Sequence, residues 1–379
     1  MKIYLVLFIN LQIINFAKFF KGMKDMNKRQ RLDTVFAGGR PDRPPVLGGW
    51  IASPDLLIKI TGRAVQDYNS NPEKVALDAY KKLEMDGLID IFVTKSADAY
   101  RNIDHDNYLK ADIGLTYEEA EKAVECLPAP EEYEKGFDFE KEYSDFRERL
   151  IETQAKCGDL VYMPAQFGAG AVASWYGVYG YENFFLLTGL RPDLAAKLFQ
   201  IGGVTGRCRS RLVAAAVKEG VYPKAVLLGE DICTQRGPMI SVRFLEEHYA
   251  PALSYGLEPL LEVGCRPVWH SDGDVRKLLP MLLSCGIEGF QGFQPECGML
   301  IEDMIKLRTR NSGKLLIFGP LAVTTELPVF SPEEIRRRVR YVADICKDEA
   351  DLVFMTSNTI NPDIPLENLL AMYDEIRIC

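Results

Sequence analysis

The sequence predicts an α/β fold, a (β/α)8 TIM barrel formed by one domain. Two features of the chain carry that expectation, and one absence supports it. Eight short aliphatic or β-branched runs each end in polar residues, and segments of helical period separate them. Strict alternation of strand and helix implies parallel strands, because a parallel pair needs a crossover between its members. Eight such units imply closure into a barrel. The open doubly wound alternative would carry a glycine-rich phosphate loop after an early strand. Neither GxGxxG nor GxxxxGK[ST] occurs.

The predicted strands are PPVLGG (44–49), DIFVTK (90–95), DLVYMPA (159–165) and AVLLGED (225–231). RPVWHSD (266–272), IEGFQGF (287–293), KLLIFG (314–319) and DLVFMTSN (351–358) complete the set. Among the helices, SPEEIRRRVRYVADICKD places Ile335, Val339, Val342 and Ile345 on one face. Ser331 and Glu334 have capping-box spacing there, with Pro332 at the first helical position. PLENLLAMYDEI repeats the design from Pro365. The long connection at about 97–157 is acidic between Glu131 and Glu148 and reads as an elaboration of the barrel. Residues 27–379 are therefore expected to form one domain.

Residues 1–26 are expected to be an N-terminal extension outside the fold, with Met23 or Met26 opening the folded chain. Their apolar run from Ile3 to Phe16 is interrupted by Asn10, Gln12 and Asn15. A membrane span needs about 20 apolar residues, so no membrane association is expected. A net charge of −9, with both signs scattered along the chain, gives no footprint for nucleic acid. Nine cysteines without a CxxC pair argue against a disulfide framework and for a reducing, cytoplasmic compartment.

In a barrel of this kind the chemistry sits at the C-terminal strand ends. Those ends supply Lys95 and Ser96, Gln166, Glu230 and Asp231, His270 and Asp272, then Gln291, Gln294 and Glu296, and last Ser357 and Asn358. His270 follows RPVW directly, so its imidazole is placed where that strand leaves the barrel, able to bind a metal or move a proton near neutral pH. Asp272 is a second candidate, with an alternative reading as the N-cap of the helical pattern that follows, a role Asp274 can also fill. Glu230 and Asp231 are adjacent on a strand, so their side chains face opposite ways and at most one easily meets the barrel axis.

GEDICTQRGPMIS (229–241), PVWHSDGDVRKLLPMLLSCGIEGFQGFQP (267–295) and SNTINPDIPLENLLAMY (357–373) resemble the uroporphyrinogen decarboxylase superfamily, including its corrinoid-dependent methyltransferase relatives. NKRQRLDTVFAGGRPDRPPV (27–46) and YGYENFFLLTGLRPDLAAKLF (179–199) are similar to the same family in pattern. The resemblance implies the barrel fold and a homodimer.

The departures shape the functional expectation. The porphyrinogen decarboxylases carry an RQAGR-type motif whose arginines hold the substrate carboxylates, and PPVLGGWIASPDLLIKI (44–60) has no arginine. Asp98 is offset from their acidic residue after the second strand, and Asn358 stands where they have a histidine. The methyltransferases bind zinc through a His-x-Cys pair and a later cysteine. Here the resemblance leaves His270 with Asp272 in the cysteine position, and FMTSNTI (354–360) lacks the later thiol.

The expected function is that of a methyltransferase-like enzyme working with a corrinoid protein or a methylated small molecule. Zinc at His270 and Asp272 would serve as Lewis acid. Glu230 or Asp231 would complete the shell or move a proton, and Gln166, Gln294, Ser357 and Asn358 would contact substrate. A decarboxylase of a porphyrinogen or smaller carboxylic acid, with His270 as proton donor, is the alternative. A non-catalytic barrel carrying a tetrapyrrole or corrinoid is the third reading.

Overall fold

The computed structural model describes residues 25–101, 114–170 and 175–379. The apolar extension up to residue 24, His105 and part of the 97–157 connection lie outside the described residues. The Met26 backbone N–H donates to Asp42 at 2.9 Å. Asn27 then caps the helix Lys28–Phe36, with Gln30 completing the capping box.

Among the described residues eight parallel strands follow in barrel-like order, in two sheets. The first sheet holds β1 (Leu47–Gly48), β2 (Gly87–Leu88) and β3 (Val161–Tyr162). The second has the order β10 (Asp351–Thr356), β9 (Leu316–Leu321), β8 (Gly289–Gln291), β7 (Arg266–His270) and β4 (Ala225–Gly229). A parallel bridge between Val46 and Phe354 joins the sheets on one side. On the other, Gln166 N–H donates to the Leu227 carbonyl at 2.8 Å. The expected single closed barrel is thus a parallel array in two sheets. The physical reason is the brevity of β1 to β3, each two residues long, which leaves few ladder bonds at the seams.

The second strand corrects the sequence reading. It lies at Gly87–Leu88 instead of 90–95, because Asp90 adopts a left-handed φ of 60° that turns the chain out of the sheet. Asp90, not Lys95 or Ser96, therefore stands at that strand end. The antiparallel pair β5 (Cys233–Thr234) and β6 (Gly237–Pro238) after β4 was also not anticipated.

Strands β4, β9 and β10 are buried on both faces, as parallel strands covered by helices are. The helix Pro332–Cys346 begins as predicted, with both bonds of the Ser331–Glu334 capping box made. Its buried stripe is Ile335, Val339, Val342 and Cys346, while Ile345 is only partly covered. The connection from β2 to β3 includes the helices Tyr117–Glu125, Pro130–Lys135 and Phe139–Cys157. Seven cysteines are buried, Cys126 and Cys379 are exposed, and all nine are free. Among the described residues no helix is long and apolar enough to cross a membrane.

Candidate metal centre

Register brings the strand ends together. Gly229 of β4 pairs with His270 of β7, and His270 pairs with Gln291 of β8. The Glu230 N–H donates to the His270 carbonyl at 2.8 Å, which extends the ladder one residue past β4. Two glycines leave room for His270, Gly229 for its backbone and Gly292 for its ring. A Cβ on Gly229 would lie 2.1 Å from the His270 carbonyl oxygen, and one on Gly292 would lie 2.9 Å from Nδ1, with φ at 142° and 93° respectively.

At this point Asp231, His270 and Asp272 converge, with one donor atom of each within 4.8 Å of the others. His270 Nε2 lies 3.6 Å from Asp231 Oδ1. That same carboxylate oxygen accepts the Asp272 backbone N–H at 2.9 Å. Asp272 in turn receives Asn358 Nδ2 on both oxygens, 2.9 Å to each. On its other nitrogen, Nδ1, His270 is hydrogen-bonded to Gln291 Oε1.

The Trp50 ring meets His270 edge-on at 6.1 Å and the Phe167 ring lies 6.4 Å away. The Asp231 N–H points to the Tyr176 hydroxyl at 3.4 Å. Trp50, Phe167, Tyr176 and Gln291 carry no recognisable motif, and only Gln291 had a sequence signal, its place at a strand end.

Burial pushes the Asp272 carboxyl above its usual range. The His270 charge opposes that rise, the Asp231 carboxylate adds to it, and the Asn358 hydrogen bond opposes it. None of these neighbours is a lysine or arginine. Two other buried carboxylates, Asp86 and Asp351, are paired with cations. Asp86, at the opposite end of the strands, is held by Arg31 at 2.5 Å and Arg43 at 2.8 Å, and Asp351 by Arg266 at 2.6 Å. Two carboxylates beside an imidazole, with no lysine or arginine among the described residues paired to either, form a hard nitrogen–oxygen donor set that suits a divalent metal ion.

The remaining candidates serve other contacts. Glu230 is almost fully buried and takes the Tyr249 hydroxyl at 3.3 Å, facing the helical layer while Asp231 faces the cluster. The Gln294 Oε1 accepts the Gly273 N–H at 2.5 Å. The Ser357 hydroxyl accepts the Val323 N–H at 3.2 Å, and the Gln166 amide donates to the Pro164 carbonyl at 3.3 Å. Asp272 caps no helix. The helix that follows spans only Leu279–Cys285, and Asp274, which stands closer to it, accepts the Arg276 N–H and guanidinium.

No known family profile and no curated protein sequence matches the chain. Among solved structures it is similar to a methyltransferase from Methanosarcina mazei, at 14% sequence identity and a TM-score of 0.56. That match covers 93% of this chain and 99% of the other. At this identity the likeness speaks for the fold alone. The chain shares its fold, over nearly its whole length, with a solved methyltransferase.

Proposed function

We propose that this protein is a metal-assisted methyltransferase of the uroporphyrinogen decarboxylase superfamily. Its substrate would be a small methylated molecule or a methylated corrinoid protein. The observation that carries the reading is the convergence of Asp231, His270 and Asp272 with no lysine or arginine paired to them among the described residues. The fold likeness supports the reaction class.

Asp231, His270 and Asp272 would hold zinc, which supplies Lewis acidity when bound. Asn358 orients the Asp272 carboxylate, and the Asp272 N–H orients Asp231. Gln294 fixes the Gly273 turn beside them. Trp50 and Phe167 pack against the imidazole and shield it from water. Those apolar walls fit a methyl-bearing ligand better than a polycarboxylate.

The deciding experiment is metal analysis of protein purified without chelators or a metal-affinity tag, followed by zinc titration of Asp231→Asn, His270→Ala and Asp272→Asn. One zinc per chain, lost in each variant while the fold persists, supports the reading. Folded protein that binds no divalent metal, and releases carbon dioxide from a carboxylic substrate, would replace it with the decarboxylase reading. Tight tetrapyrrole or corrinoid binding without turnover would replace it with that of a carrier.

A further inference from the structure

We propose that Gln291 is the positioning residue of this site, holding His270 as the Nδ1–H tautomer so that Nε2 presents its lone pair to the cluster. This deepens the metal reading by naming what aims the nitrogen ligand.

The argument rests on where each polar atom of Gln291 goes. The residue ends β8 and is almost fully buried. Its Nε2 lies 3.0 Å from the Thr356 carbonyl and 3.0 Å from the Ser357 carbonyl, both at the end of β10. Two carbonyl oxygens accept only, so the amide NH2 must face them and spend both protons there. The opposite amide orientation would set Oε1 against two acceptors in a buried place, which is strongly unfavourable.

Gln291 Oε1 is thereby committed to His270 Nδ1, and it too can only accept. Nδ1 must carry a proton. In the neutral ring Nε2 is then bare, and it is the atom that lies toward Asp231. A hydrogen bond to the distal nitrogen of a ligating histidine sets which nitrogen meets the metal.

Two further features make the arrangement rigid. Gly292, next to Gln291, leaves the space that the imidazole occupies. The strand end that accepts the Gln291 amide continues into Asn358, whose amide holds Asp272. The end of β10 therefore positions two of the three donors, one through Gln291 and one through Asn358.

The test is 15N-histidine NMR on the full chain at about pH 8, where an ordinary imidazole is neutral. Only His105, His248 and His270 contribute signals, and His270→Gln identifies the third. His270 is expected as Nδ1–H in the parent protein. In Gln291→Leu it should become Nε2–H or a mixture, and zinc affinity should fall about 10–100-fold by calorimetry.

A parent spectrum showing Nε2–H at His270 overturns the proposal, even if Gln291→Leu fails to fold. A folded Gln291→Leu with unchanged tautomer and affinity overturns it as well. If the parent shows Nδ1–H but binds no zinc, the positioning role stands and the metal reading falls.

Discussion

The Asn358 amide nitrogen reaches both carboxylate oxygens of Asp272, 2.9 Å from each, across 86 residues of sequence. It lowers the pKa that burial raises, and so favours the anion that would bind the proposed metal. Asn358→Ala should weaken zinc binding about 10–100-fold, the usual cost of losing such a supporting group. The loss should grow as pH falls, because the unsupported carboxyl protonates sooner. Calorimetry at two pH values checks this. An unchanged dissociation constant would show that the amide does not govern the carboxylate.

His270→Ala should abolish metal binding at a moderate cost in stability. The imidazole is largely buried, and its removal strands Gln291 Oε1 without a donor. The penalty for such an orphan is about 1–3 kcal/mol. Urea unfolding and zinc titration of the same preparation separate the two effects. Loss of the fold with normal zinc uptake by the remaining folded molecules would make the histidine structural.

Asp90 gives a pH-dependence of its own, outside the Asp231, His270 and Asp272 cluster. Burial raises its carboxyl from 3.8 to about 6, against one hydrogen bond from the Ala165 N–H at 3.2 Å. The folded state therefore binds more protons than the unfolded state between these values, so stability falls as pH rises through the window. Above about pH 6 the ionised, buried carboxylate is a standing penalty. Asn is tolerated at left-handed φ and still accepts the Ala165 N–H. Asp90→Asn should stabilise the protein at pH 7 by about 1–3 kcal/mol, allowing for partial solvent screening. At pH 4 the gain should nearly vanish. Urea melts at both values test it, and an equal gain at both would exclude titration as the cause.

Uroporphyrinogen should not be turned over at an ordinary enzymatic rate. The 44–60 segment offers no arginine, and the groups acting on Asp272 include no lysine or arginine to neutralise substrate acetates. An anaerobic assay that yields coproporphyrinogen at a normal rate would remove the basis for preferring methyl transfer.

The sequence by itself determined the succession of parallel strands and helices, the capping box at Ser331 and Glu334, and the placement of His270 at a strand end. Those follow from local period and capping chemistry, which are written in consecutive residues. Alternation along β4 also foretold that Glu230 and Asp231 would face opposite ways. Tertiary structure decided which of them faces His270. It moved the second strand to Gly87–Leu88 because Asp90 turns at positive φ. It showed Asp272 to be partnered by Asn358 and not by a helix, and it gave Gln291 a role no motif announces. These depend on register between strands far apart in the chain, where hydrogen-bond partners are set by the sheet and not by sequence neighbours.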